Sequence, residues 1–317
     1  MACAPPLRSL VTGGAGFIGS HLVELLLAEG GEVRILDDLS SGRRENLPQA
    51  AAAEFMEASV ADEAALARAM EGVAVVFHLA AMTAVPESIE KPRACIELND
   101  LAVFNVYQAA AENGVRRVVF SSSSAVYGDQ PVPHDEDIRP RPSTPYAIHK
   151  LLGEHYGLFF HEYRRLESVY LRYFNVYGPR QRPGSPYSGV ISLFMDSLLQ
   201  GREAVIFDDG EQTRDFVFVK DAALANLRAA CAPGVSGRGF NIGSGQATTI
   251  NRLYRLLRGL AGDAGPPPRF SPPRPGDIRH SSGPVEAAAA ELGFTAATAL
   301  ERGLRLTWDW MSSPAGR

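Results

Sequence analysis

The chain has 317 residues, of which 45% are hydrophobic and 21% charged, with a formal net charge of −5. That balance excludes a disordered or fibrous chain and gives no general attraction to nucleic acid, while the length suffices for a large α/β unit or two domains. Its three cysteines, Cys3, Cys95 and Cys231, form neither a Cys-x-x-Cys pair nor a Cys/His metal spacing, so no disulfide framework and no metal site are expected. In chain order, short apolar runs rich in β-branched residues predict strands at 7–12, 32–37, 54–57, 74–79, 117–122 and 168–173. Each is followed by a polar or glycine turn and a segment of helical period, the pattern of parallel strands joined by crossover helices. Beyond that point the rhythm loosens into Pro-, Gly- and Arg-rich stretches at 178–188 and 265–276. Helical period returns at 189–199, 221–230, 249–260 and 296–311, with short strands expected at 204–207 and 239–242. The expectation is a doubly wound parallel α/β sheet of Rossmann type with a smaller interleaved C-terminal α/β domain: 1–174 rejoined by 213–236, against 175–212 and 237–317.

The segment Val11-Thr-Gly-Gly-Ala-Gly-Phe-Ile-Gly-Ser20 falls where the first strand turns into a helix. There Gly13 permits a tight turn, Gly16 lets backbone N–H groups approach a pyrophosphate, and Gly19 allows close packing of helix on sheet. Asp37, ending the second strand, suits adenosine ribose hydroxyls and would repel a 2′-phosphate, which favours NAD over NADP; Arg43 and Arg44 nearby pull the other way. The Gly-x-x-Gly-x-x-Gly spacing resembles the short-chain dehydrogenase/reductase superfamily. That resemblance implies NAD contacts from Gly13, Gly16, Phe17, Ile18, Gly19, Asp37, Asp38, Ser40, Gly42, Ser59, Val60, Leu79, Ala80, Ala81, Asn99, Ser121 and Tyr173. Two positions depart from its extended members: Ser59 replaces an acidic residue facing adenine, and Thr83 a lysine found in some epimerases.

Tyr146-Ala-Ile-His-Lys150 begins a helix just after Pro145, and the four-residue spacing puts phenol and ammonium on one face. A phenol is a poor base near neutrality, and a neighbouring cation favours its ionised form. Such a pair is common on arbitrary helices, but here it follows a serine-rich strand end, Phe120-Ser-Ser-Ser-Ser-Ala-Val-Tyr-Gly128. Fingerprint, serines, Tyr146 and Lys150 stand in the order of the UDP-glucose 4-epimerase family, and the resemblance runs from Leu7 to about Met311. It implies that Ser123, Tyr146 and Lys150 are catalytic, with NAD also meeting Tyr146 and Lys150. Sugar-nucleotide dehydratases and decarboxylases carry acids before Val-Tyr-Gly; Ser124 and Ala125 stand there instead, which argues against both activities.

The same resemblance implies a substrate site from Thr83, Ser123, Ser124, Tyr146, Asn175, Val190, Arg214, Arg274, Asp277 and Ser281. Arg214 and Arg274 would clamp the diphosphate, where guanidinium forks match phosphate oxygens. Ser281 falls where glucose-restricted members often carry Tyr, which leaves room for an N-acetyl group, while Arg180 or Arg182 meeting a carboxylate would favour UDP-glucuronate. The implied activity is NAD-dependent inversion at C4 of a UDP-hexose, UDP-GlcNAc/UDP-GalNAc first and UDP-Glc/UDP-Gal second. Its rivals are a UDP-glucuronate 4-epimerase, a sugar-nucleotide reductase or dehydratase, and a non-catalytic NAD-binding sensor. A homodimer through the Asn99 and Tyr146 helices is expected by analogy. A cytoplasmic location is expected because neither a signal peptide nor an apolar run of roughly 18 residues is present.

Overall fold

The computed structural model describes residues 8–181, 183, 189–263, 265–273, 278–314 and 316. The first half runs β1 (Arg8–Thr12), α1 (Phe17–Ala28), β2 (Glu32–Asp37), β3 (Ala53–Glu57), α2 (Glu63–Met70) and β4 (Val75–His78). Two short helices, α3 (Val85–Glu90) and α4 (Pro92–Ile96), lead through a π-helical turn at Glu97–Leu101 into α5 (Ala102–Glu112). Then come β5 (Arg117–Ser123), α6 (Pro145–Arg164) and β6 (Glu167–Tyr173). Every residue of β4 is buried, as expected of a parallel strand covered on both faces. The start of α6 is set locally: Pro145 sits at its first turn and Thr144 Oγ1 accepts from Ala147 N at 3.3 Å.

The second half comprises β7 (Asn175–Tyr177), α7 (Val190–Leu199), β8 (Val205–Phe207), β9 (Thr213–Phe218), α8 (Val219–Cys231) and β10 (Arg238–Ile242). It closes with β11 (Ala247–Thr249), α9 (Ile250–Leu260), β12 (Arg269–Ser271), β13 (His280–Ser281) and α10 (Leu300–Ser312). Seven strands form one sheet in the order β3-β2-β1-β4-β5-β6-β10, all parallel. This is the Rossmann order, and it reverses direction between β1 and β4, the switch point outside whose strand carboxyl ends such sheets bind their ligands. Leu22, Leu26, Ala222 and Ala229 cover one face; Leu66, Val103, Val106 and Phe160 cover the other. A smaller sheet centres on β9, which pairs with β7, β11 and β13, and β8 pairs with β12. Ile191, Met195, Leu253, Leu257 and Leu304 form its separate core.

Several boundaries differ from the sequence expectation. Strand β10, assigned from sequence to the smaller domain, is the edge of the large sheet, and β9, assigned to the large one, organises the small sheet. The helix expected from 296 begins only at Leu300, and Asn99 lies in the π-helical turn rather than in a regular long helix. Strands β7, β11 and β13 span two or three residues, too few for a period-2 pattern to register. Cys231 is disulfide-bonded, although its spacing gave no reason to expect a disulfide, whereas Cys95 is a buried free thiol. Among the described residues, no helix is long and apolar enough to cross a membrane.

Candidate active site

The glycine loop sits at the switch point. Gly13 has φ +69°, and a Cβ there would lie 2.7 Å from the backbone nitrogen of Ala80, so β1's exit and β4's exit touch directly. A Cβ on Gly19 would collide with the carbonyl oxygen of Gly13, which is why α1 can seat its first turn on the loop. That turn has neither a side-chain cap nor an acidic residue, leaving its N–H groups and positive end for an anion. Asp37 braces the loop: its carboxylate accepts from Ala15 N at 2.9 Å and Leu39 N at 2.8 Å. Burial pushes the Asp37 carboxyl up while these two bonds pull it down. Arg44 is committed to Glu57 at 2.6 Å and lies over the Phe55 ring at 4.6 Å, so it is held against β3. Asp38 accepts from Ser40 N and Oγ, at 3.0 and 2.6 Å, and Ser59 Oγ accepts from Ala61 N at 3.2 Å. A Cβ on Gly42 would sit 2.7 Å from Asp37 Oδ1, and Val60 is buried. The open helix end, the cradle at Gly13 and the braced carboxylate fit a dinucleotide.

On the β4 side, Leu79 N donates to Thr12 O at 3.2 Å and Ala80 N to Thr12 Oγ1 at 3.3 Å. Asn99 is buried and holds Met82 from both sides, Oδ1 accepting from its N at 2.8 Å and Nδ2 donating to its O at 2.9 Å. Asn99 thus orders the segment after Ala81. Thr83 is exposed at its far end.

The catalytic candidates converge where β5 meets α6. Side chains alternate along β5, so Ser121 and Ser123 face one way and Ser122 the other. Ser122 donates to Glu154 at 2.5 Å and is spent there. Ser121 is buried, and its carbonyl accepts from Lys150 Nζ at 2.7 Å. Ser123, whose Oγ accepts from Ala125 N at 3.2 Å, is the serine near enough to Tyr146 to pull its pKa down. Lys150 is buried, its Nζ 5.8 Å from the centre of the Tyr146 ring and 5.2 Å from that of Phe120. Burial lowers Lys150 to about 8. Burial raises the Tyr146 phenol, and Ser123 opposes that rise. Tyr173 closes the floor, accepting from Asn226 Nδ2 at 2.6 Å.

The substrate candidates are carried by the second half. Asn175 lies on β7 opposite Phe216, Val190 opens α7, and Ser124 follows β5 as a partly buried residue. Ser281 is buried and stands in register with Arg214 across β13 and β9. Arg214 Nη1 donates to Thr213 O at 2.8 Å and Arg279 O at 3.3 Å. Arg274, Asp277 and Arg182 lie outside the described residues. Arg180 is paired with Glu24 of α1, beside a hydrogen bond of 3.0 Å between His21 Nε2 and Pro179 O.

The sequence model of the NAD dependent epimerase/dehydratase family matches residues 9–243. The chain belongs to that family. The NAD-dependent epimerase/dehydratase chain is 41% identical to a UDP-glucose 4-epimerase of Mycolicibacterium smegmatis, over 96% of this chain and 98% of that one. Among solved structures it superposes on a UDP-glucose 4-epimerase from Thermotoga maritima, crystallised with UDP-glucose, with a TM-score of 0.92 and 39% identity. The match covers 96% of this chain and 98% of that chain. A UDP-N-acetylglucosamine 4-epimerase from Methanobrevibacter ruminantium, in complex with UDP-N-acetylmuramic acid, matches with a TM-score of 0.92 and 38% identity, covering 97% and 98%. The Rossmann-type fold and the NAD cofactor expected from the glycine fingerprint are borne out.

Within this epimerase/dehydratase site the sequence reasoning missed a buried polar layer. Glu154 accepts from Arg172 Nε at 3.0 Å and Nη2 at 2.8 Å, and Arg172 Nη1 donates to Tyr127 OH and Glu136 O, both at 3.1 Å. Tyr127 OH donates to Asn241 at 2.7 Å, and Asn241 Nδ2 donates to His134 O at 2.8 Å and Pro284 O at 3.1 Å. One signal was available: Glu154 is four residues after Lys150, on the same face of α6. His78, at the end of β4, shares a 2.7 Å hydrogen bond with Thr12, and burial then Lys150 lower it to about 3, so it is neutral.

Proposed function

We propose that the chain inverts C4 of a UDP-hexose through a transient 4-keto sugar, with UDP-GlcNAc and UDP-GalNAc as its preferred pair and UDP-Glc/UDP-Gal also accepted. Bound at the glycine loop, NAD would accept the C4 hydride and return it. Tyr146, in its ionised form, takes the 4-hydroxyl proton and later gives it back, and Ser123 hydrogen-bonds the same sugar oxygen. Lys150, anchored on the Ser121 carbonyl, keeps positive charge beside the phenol. Arg214, with Arg274 and Asp277, holds the nucleotide by its diphosphate and ribose, and Asn175 and Val190 line its path. Because hydride leaves and returns within one turnover, no cofactor is consumed.

The observation that carries the reading is the convergence of Ser123, Tyr146 and Lys150 at the β5–α6 junction beside the dinucleotide cradle. Ser124 and Ala125, not acids, follow the catalytic serine, which favours epimerisation over dehydration. The preference for acetylated sugars rests on Ser281, a small side chain next to Arg214. Arg180 is turned to Glu24, which removes one of the two arginines that could favour a glucuronate. NMR of the purified protein with each UDP-sugar, without added NAD, tests the proposal. C4 epimers of UDP-GlcNAc should appear fastest, and Ser281→Tyr should slow that substrate far more than UDP-glucose. Equal slowing of both would overturn the pocket assignment, and no epimer from any UDP-hexose would overturn the activity.

A half-exposed apolar stripe supports the homodimer. Ile148, Phe159 and Tyr163 are 50%, 44% and 72% exposed on one face of α6, and Leu101, in the π-helical turn, is 58% exposed. A second copy of the same stripe would bury them.

A further inference from the structure

Arg279 and the turn before β9 make a polar cluster that no step of the mechanism uses. Arg279 Nη1 and Nη2 each reach a carboxylate oxygen of Asp209 at 2.8 Å, and Nη1 also reaches Asp208 at 2.6 Å. The turn is itself built firmly. Asp208 has φ +58°, Asp209 Oδ1 also accepts from Glu211 N at 2.9 Å, and Asn251 Nδ2 donates to Asp209 O at 2.9 Å. At its other end Arg279 is tied to β9 through its backbone. Its carbonyl accepts from Thr213 N at 3.0 Å and from Arg214 Nη1 at 3.3 Å, and the next residue, His280, shares a 2.9 Å hydrogen bond with Thr213 Oγ1. One residue therefore brackets the strand that presents Arg214: its side chain grips the turn ahead of β9, and its carbonyl holds the Arg214 guanidinium.

We propose that Arg279 and the Asp208–Asp209 pair form a latch that positions Arg214 for the diphosphate, so that two anionic side chains strengthen the binding of an anionic ligand. The inference rests on the reading that Arg214 meets the nucleotide diphosphate. Exposed single ion pairs contribute little, but a forked guanidinium meeting two carboxylates is the geometry in which they do. What the latch supplies is preorganisation: a guanidinium already held in place loses less freedom when phosphate arrives. Arg279 is thus a positioning residue, and its effect falls on affinity rather than on the chemical step.

The sign of one substitution separates the latch from simple electrostatics. Removing two negative charges near a diphosphate site should tighten anion binding if Coulomb attraction alone matters. The latch requires the opposite. Calorimetric titration of UDP into the NAD-loaded protein, with steady-state kinetics on the UDP-sugar, reads both. D208N/D209N and R279A should each weaken UDP by about fivefold and raise KM by a similar factor, with kcat unchanged. Combining them should be no worse than R279A, because all act on one contact. Roughly 1 M salt should shrink the difference from wild type. Unchanged or tighter UDP binding in D208N/D209N, or unchanged binding in R279A, overturns the latch. R214A measured alongside keeps the two ideas apart: if it binds UDP like wild type, the placement of the diphosphate fails first. If R214A is weakened and the latch variants are not, only the latch fails.

Discussion

At the scale of single residues, the tyrosine and lysine that a four-residue spacing brings together are both tuned by burial, in directions that oppose charge. Tyr146 is raised and Lys150 is lowered to about 8, so near neutral pH the free protein holds a neutral phenol beside an amine that still carries most of its charge. Tyr146→Phe should lower turnover by about 10²- to 10⁴-fold, the usual range for losing a positioned acid/base, with UDP affinity within about twofold. The pH profile follows from the signs. Phenolate becomes more abundant as pH rises, whereas the Lys150 charge is complete well below about 8 and lost above it. The plot of kcat/KM should therefore climb through neutrality and fall on its alkaline side near that value. Lys150→Arg, whose guanidinium stays charged, should push the falling limb to higher pH on whatever activity remains. A limb that stays in place assigns it to another group.

At the scale of elements, β5, β6 and α6 are locked by an ion pair that lies almost wholly out of water: the Arg172 and Glu154 side chains are 9% and 5% exposed. Ser122 adds a third contact from the strand that also carries Ser123. Glu154→Ala would leave a buried guanidinium without its carboxylate, which costs about 3–5 kcal/mol. Urea denaturation should show that loss as a lower midpoint, and a midpoint within error of wild type would mean that water reaches Arg172. The helix was legible in advance because Pro145 marks its start and a segment of helical period follows each strand. The network was not, because its members come from four separated segments, and nothing in the spacing of Arg172, Tyr127 and Asn241 says that they meet. The serine choice behaved the same way: four serines in a row are equivalent on paper until Glu154 claims Ser122.

At the scale of the whole molecule, β9 and β13 put Arg214 and Ser281 in register on the small sheet, and β9's strand partner β7 follows β6 of the large sheet after a single residue. The apolar stripe on α6 lies on the outside of the same helix that carries Tyr146 and Lys150. A charge placed in that stripe tests the pairing: Ile148→Lys should turn a dimer into a monomer by light scattering while the fold, read by circular dichroism, is kept. A wild-type protein that is monomeric at tens of micromolar would remove the dimer.

Taken alone, the sequence determined the repeating βαβ plan, the dinucleotide turn, the Tyr146/Lys150 pair and the family, because each is written in residues a few positions apart whose geometry is local. Only the tertiary structure decided that β10 completes the large sheet, that Ser123 rather than Ser122 faces the phenol, that Arg180 and Arg44 are spent on Glu24 and Glu57, and that Arg279 reaches back to Asp208 and Asp209. Those outcomes join segments far apart in the chain, where pairing is set by strand register and by the competition of buried polar groups for partners, neither of which a local pattern encodes.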